Sequence, residues 1–262
     1  MSAMSTLFIS HGSPMLALQD HATTRAWSAM AAAQPRPRAV LVASAHYLTA
    51  APAVGAAERP ATGHDFGGFP APLYQLQYPA PGAPALAARV AELLAAAGLP
   101  AQLEPQRGLD HGIWVPLRRF WPQAEVPVIP LALQPRRDAA YHLQLGRALR
   151  PLLDEEVLII GSGNLTHNLY ELQIGEDEHT ASYAREFSDW MAQRLHAHDD
   201  AALAEYRSRA PQAARAHPSD EHLLPLFVAY GAAGTEAQVE RVYDAVTDGV
   251  LAMDCYRFTP AH

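Results

Sequence analysis

The sequence predicts an α/β fold: a single domain with a central, mostly parallel sheet and helices on both faces. Three observations carry this. Short apolar, β-branched runs alternate along the chain with longer stretches of helical composition, the order that builds strands joined by crossover helices. The clearest runs, Ala39-Val40-Leu41-Val42-Ala43 and Val157-Leu158-Ile159-Ile160, are continuously apolar rather than alternating, as strands buried on both faces require. No Gly/Ser-rich linker or block of charge divides the 262 residues, so the chain is read as one unit over 1–262.

The elements follow in order. Residues 6–10 form a short strand ending at His11; Gly12-Ser13-Pro14 make a tight turn, and a helix follows at 21–33. Residues 39–45 are a second buried strand. A Pro/Gly-rich loop from Ala50 to Pro84 holds His64-Asp65-Phe66-Gly67-Gly68-Phe69-Pro70 and the aromatics Tyr74 and Tyr78. A loop of that length is functional or disordered, and its aromatics argue for a packed, functional one. Residues 85–97 are an alanine-rich helix closed by Gly98 in the C-cap place. A short strand near 101–104 leads to Gly108-Leu109-Asp110-His111-Gly112. Strands at 126–133 and 156–161 are separated by a helix at 138–150. Helical stretches at 178–198 and 200–209 come next, then an apolar helix from Leu223 to Gly231 and a closing strand near 251–258.

Composition narrows the function. A hydrophobic fraction of 49% and a charged fraction of 18% describe a globular protein with a sizeable core. The formal charge of −8 argues against nucleic-acid binding, which calls for a basic face. All 19 basic residues are arginine, which excludes a Schiff-base lysine and the lysine of a phosphate loop. Gly161-Ser162-Gly163-Asn164 is therefore only a fragment of such a loop, and neither Ser13 nor Ser162 sits in a Gly-x-Ser-x-Gly elbow. Cys255 is the only cysteine, so it is expected to be a free structural thiol. With no charged leader and no apolar run of the roughly 20 residues that span a bilayer, the expectation is a cytoplasmic protein without membrane contact, monomeric or a small homo-oligomer.

The histidines carry the chemistry. His11, His46 and His167 each lie at or just beyond the end of an apolar run, and in an open α/β sheet ligands bind beyond the carboxyl ends of the strands. Neutral imidazole is a common metal ligand and a proton carrier near neutral pH. His11 and His46 on adjacent strands would share one rim, and the His217…Glu221-His222 cluster can add a third ligand, leaving positions open for substrate or oxygen. His111 and His167 are then free for proton transfer. His64, Phe69 and Tyr74 are the candidates for substrate contact from the long loop. Asp110 is placed either to orient the neighbouring imidazole or to cap the turn that follows. His21, His142, His179, His196 and His198 lie among polar neighbours and are expected to face solvent, and His262 is terminal.

Taken together, these motifs make the chain resemble the class III extradiol ring-cleaving dioxygenases, and within them the DOPA 4,5-dioxygenase-like family. The resemblance runs through His11-Gly12-Ser13-Pro14, Ser44-Ala45-His46-Tyr47, His64-Asp65-Phe66 with Gly68-Phe69-Pro70, and Tyr74-Gln75-Leu76 with Tyr78-Pro79-Ala80-Pro81-Gly82. It continues through Asp110-His111-Gly112 with Trp114-Val115-Pro116-Leu117, then Gly161-Ser162-Gly163 with Thr166-His167-Asn168, and His217-Pro218 with Glu221-His222 and Pro225-Leu226. It implies a non-haem enzyme that uses O2 to open a catechol ring beside its two hydroxyls, with Fe(II) for activity and Zn(II) as an alternative occupant. His11 and His46 match family metal ligands. His222 matches the third, with Glu221 beside it as the alternative. His167 matches a residue that is either acid/base or a further metal contact, and His111 a histidine near the substrate. Tyr47 and Gly67 depart from the tryptophan and the aromatic common at those places, and are expected to reshape the pocket. Two alternatives use the same histidines: a zinc hydrolase that activates water, and a metal-binding protein without turnover.

Overall fold

Residues 4–175 and 180–261 are described by the computed structural model of the chain; the expectations for His179, for His262 and for a helix already begun at 178 lie outside the described residues. The first half runs β1 (Thr6–Ser10), α1 (Ala22–Ala32), β2 (Ala39–Leu48), β3 (Ala53–Gly55), α2 (Ala71–Tyr74), α3 (Pro84–Ala96), β4 (Gln102–Glu104), α4 (His111–Phe120) and β5 (Val128–Leu133). The second half runs α5 (Ala139–Leu149), α6 (Pro151–Asp154), β6 (Val157–Gly163), α7 (Ser182–His196), α8 (Asp200–Ala204), α9 (Tyr206–Arg209), α10 (Ala213–Ala216), α11 (Leu224–Ala233), β7 (Gln238–Tyr243), β8 (Val246–Thr247), β9 (Leu251–Ala252) and β10 (Cys255–Thr259).

The continuous apolar runs become the middle of an eight-stranded sheet ordered β4-β3-β5-β2-β6-β1-β10-β7. The four central strands are parallel, and every residue of β1, β5 and β6 is buried, as a sheet covered on both faces demands. β3 runs antiparallel to β5, and β10 antiparallel to both β1 and β7. The sheet is thus mostly parallel at its centre, as the sequence indicates.

Crossover handedness explains the two helical layers. The chain steps from β1 over β6 to β2 in one direction and from β5 over β2 back to β6 in the other. Right-handed crossovers therefore put α1 and α5 on opposite faces. α4 packs on α1, while α11 packs on α5 and on β6 and β1. All ten residues of α11 are buried, which accounts for its uniformly apolar sequence. Among the described residues no helix is long and apolar enough to cross a membrane.

Four departures from the sequence reading matter. β2 continues to Leu48 rather than stopping at 45, so His46 lies inside the strand; there its pairing with β6 has ended at Ser44 and its register with β5 shifts. The 50–84 loop is not structureless, since it contains β3, α2 and a bridge between Thr62 and Leu109. α4 is a ten-residue helix hidden from the sequence by Pro116 inside it, because proline reads as a helix breaker. β7 is hidden in the sequence because Glu240 and Arg241 interrupt its apolar residues, the charges that protect a sheet edge.

Candidate active site

The carboxyl ends of three adjacent strands, β2, β6 and β1, open onto one crevice. His11 follows β1 directly, His46 projects from β2 between the end of its pairing with β6 and its last pair with β5, and β6 leads through Asn164 to His167. His111 is the first residue of α4, and His222 lies in the turn before α11. Two glycines allow the approach. A Cβ on Gly163 would lie 2.0 Å from the carbonyl oxygen of His222, whereas that oxygen accepts a hydrogen bond from Asn164 N at 2.8 Å. A Cβ on Gly112 would meet His11 Nδ1 and His46 Cδ2 at 3.1 Å each. The Gly161-Ser162-Gly163 stretch is thus a packing device for the chain entering α11, not a phosphate loop.

Three imidazoles converge. His46 Nε2 stands 3.0 Å from His11 Nε2 and 3.3 Å from His222 Nε2. The hydrogen bonds at the far side of His11 and His222 define which nitrogen of each carries the proton. Ser162 Oγ donates to the Gly112 carbonyl and so accepts from His11 Nδ1 at 3.1 Å. His222 Nδ1 faces the Glu221 carboxylate at 3.3 Å, and His46 Nδ1 faces Asp65 Oδ2 at 3.9 Å. A carboxylate only accepts, so the rings of His11 and His222 turn bare Nε2 lone pairs toward His46. Burial and the neighbouring imidazoles hold His11 and His222 well below the usual histidine range, and burial and His111 lower His46 to about 3.

This donor set fits a divalent metal. Nitrogens bound at about 2.1 Å to a tetrahedral ion lie roughly 3.3–3.4 Å apart, near the spacing observed. Neutral imidazoles with a carboxylate or hydroxyl behind Nδ1 are the usual supported ligands of such an ion. The ligand atoms of His11, His46 and His222 all lie within 4.8 Å of one another, while His167 groups instead with Glu221 and His222. His167 lies flat on the His222 ring, centroids 3.4 Å apart and planes 9° apart. Burial lowers it to about 4.

His111 is held by Asp65, whose Oδ1 accepts from both its backbone N–H at 2.9 Å and its Nδ1 at 3.0 Å. Burial pushes Asp65 up, but these bonds from His111 outweigh it and bring the carboxyl down to about 2. Asp65 therefore caps α4 from another segment, a role the sequence does not reveal because the partners are 46 residues apart. Asp110, at the N-cap position, makes no capping bond. Its carboxylate accepts from Ser44 Oγ and Arg107 at 2.7 Å each, so it neither orients His111 nor caps the turn.

The histidines face a cavity of about 440 Å³ whose opposite walls are apolar, with Phe66, Phe69, Leu172 and Leu251 prominent, a size and character suited to a small aromatic ligand. Of the three proposed substrate contacts only Phe69 lines it. His64 stands behind, its Nε2 donating to the Leu76 carbonyl at 3.0 Å, and the Tyr74 hydroxyl accepts from Phe69 N at 3.3 Å; both support the aromatic wall. Tyr47 and Gly67 do not line the cavity either: Tyr47 is buried beneath the Arg107 guanidinium, and Gly67 is exposed. A hollow of similar size between Arg147 and Arg150 contains no histidine.

The remaining histidines sort by burial. His196 and His198 are exposed, and His21 caps α1. His142, expected at the surface, is buried: its Nδ1 donates to the Asp138 carbonyl and its Nε2 accepts from Gln134 N. His217 is fully buried behind the site, bound to the Leu165 carbonyl. Cys255 is a buried free thiol, pushed up to about 12 by burial.

Known proteins share this arrangement of chain. Residues 5–253 match the family described as the catalytic LigB subunit of aromatic ring-opening dioxygenase. The chain is 40% identical to a "4,5-DOPA dioxygenase extradiol" of Beta vulgaris over 97% of its own length and 96% of that protein's. It is 37% identical to the protein of the same name from Escherichia coli K12, over 95% and 93% of the two chains. An uncharacterized Escherichia coli K12 protein of known crystal structure superposes with a TM-score of 0.84 at 32% identity, covering 97% of this chain and 99% of that one.

Proposed function

The chain belongs to this family of aromatic ring-opening dioxygenases and is an extradiol ring-cleaving enzyme that depends on a metal and takes an aromatic substrate and O2, and on that premise we propose that His11, His46 and His222 hold one Fe(II) ion while a catechol stands in the adjoining cavity. The observation that supports this most is the convergence of the three Nε2 atoms, two of them deprotonated by the bonds behind them. Glu221, the alternative third ligand, serves in this reading as the acceptor behind His222. Family membership selects the oxygenase over the hydrolase and the metal store that the histidines alone leave open.

When bound, the metal supplies a site where both catechol oxygens and O2 are brought together. The chain's own residues do the rest. Phe66 and Phe69 form an apolar wall against which the ring lies, and Leu172 and Leu251 exclude water from around it. A catechol that binds through its oxygens gives up a hydroxyl proton to a base. His167 is neutral at neutral pH because burial holds it at about 4, so its lone pair is available to take one. His111, with Nδ1 committed to Asp65 and its ring lining the cavity, hydrogen-bonds a substrate oxygen. Imidazole side chains at these two places bind, orient and move protons.

Anaerobic loading with Fe(II), followed by a panel of catechols read for oxygen uptake and for a yellow ring-opened product, tests the proposal. Stoichiometric oxygen consumption with Fe(II), and none with Zn(II), is the expected result, since zinc has no redox chemistry. Product formation without oxygen contradicts it. A catechol with the amino-acid side chain named for the relatives belongs in the panel.

A further inference from the structure

Pro116 lies inside α4, six residues into the helix, where it contributes no N–H. The carbonyl that such an N–H would normally engage, four residues earlier, belongs to Gly112. Proline also crowds that carbonyl and tilts it away from the helix axis. In this chain the released Gly112 oxygen is met by Ser162 Oγ from β6, fifty residues away. Both oxygens lie within hydrogen-bond distance, and a carbonyl only accepts, so the Ser162 proton lies between them. The same Oγ, its proton committed, has only lone pairs left for His11 Nδ1 at 3.1 Å. His11 must then carry its proton on Nδ1 and leave Nε2 bare toward His46.

We infer that Pro116, Gly112 and Ser162 form a relay that fixes the tautomer of His11, with Ser162 the positioning residue and Pro116 the reason its hydroxyl points away from the imidazole. A serine hydroxyl without the Gly112 acceptor is free to donate to Nδ1 instead, which moves the ring proton to Nε2 and blocks that nitrogen as a ligand. The relay is closed to solvent: Gly112, Pro116 and Ser162 are all buried, as is His11. The effect on metal binding rests on the reading of His11 as a ligand; the effect on the tautomer does not.

The experiment compares Pro116→Ala and Ser162→Ala with the unaltered chain, using nitrogen-15 NMR of the His11 ring in metal-free protein and competition titration with Zn(II) and Fe(II). Pro116→Ala restores a helical N–H for the Gly112 carbonyl. It is expected to raise helix stability, since alanine is the better helix former, yet to shift the His11 proton toward Nε2 and to raise the metal dissociation constant about 10–100-fold, the usual effect of losing a group behind a ligand. Ser162→Ala is expected to mix the two tautomers and weaken the metal similarly, and combining the two substitutions should add little. An unchanged Nδ1-protonated His11 in both variants overturns the relay. A changed tautomer with unchanged metal affinity upholds the relay and instead removes His11 from the ligand set.

Discussion

Replacing Gly112 by alanine tests how closely the first turn of α4 is fitted to the site. A methyl group there would stand 3.0 Å from Ser44 Oγ and 3.1 Å from both His11 Nδ1 and His46 Cδ2. Ordinary contact needs a few tenths of an ångström more. All three neighbours are constrained: Ser44 by Asp110, His11 by Ser162 and His46 by its place in β2. Overpacking of this kind costs about 1–3 kcal/mol, against a gain of about 1 kcal/mol from replacing glycine in a helix. The net loss of stability is therefore about 0–2 kcal/mol, small enough to leave the protein folded. Metal binding should suffer more, because the displaced rings are two of the three converging ones; an affinity loss of about 10–100-fold is expected. Chemical denaturation gives the first quantity and competition with a chromophoric chelator the second. A Gly112→Ala protein that binds metal like the unaltered chain would refute the argument that this glycine sets the spacing of His11 and His46.

Three further outcomes follow from the same geometry. His167→Ala should lower turnover by about 10²–10⁴-fold, the range for a lost acid/base group, with anaerobic metal content retained; His167→Gln should be nearly as slow. Phe69→Ala removes one apolar wall of the cavity and should raise KM about tenfold with little change in metal content; an equal loss of metal would make the 62–82 loop a structural support. Burial lowers His142 and His167 to about 4 and His217 to about 3 in the folded chain, whereas the unfolded chain takes up those protons near 6.5. The stability these groups contribute is thus present above about pH 6.5 and lost as pH falls toward 4, at about 1.4 kcal/mol per pH unit for each. Metal-free protein followed by thermal melting should show a steep fall in Tm below pH 6; a flat profile between pH 6 and 4.5 contradicts it.

The strands that position the site were legible because both-face burial writes itself as uninterrupted Val, Leu and Ile, and their ends marked His11, His46 and His167. His222, in the turn before α11, was reachable only through its motif, since nothing local distinguishes it from His217, which is buried against Leu165 instead. His142 was misjudged because its neighbours in sequence are polar while its ring satisfies two backbone groups in the interior. The supporting partners were the least visible. Asp65 and Ser162 meet the histidines, and the Gly112 carbonyl meets Ser162, only across long sequence separations, and Pro116 argued against the helix it helps to shape.

The central claim is that three imidazoles, and not four, hold the metal. Metal stoichiometry measured in parallel on His11→Ala, His46→Ala, His222→Ala, Glu221→Ala and His167→Ala proteins, each loaded anaerobically with Fe(II), tests it most directly. The first three should lose the metal and the last two should keep it, with Glu221→Ala weakened only. A His222→Ala protein that keeps its metal while Glu221→Ala loses it, or a His167→Ala protein emptied of metal, would contradict the account.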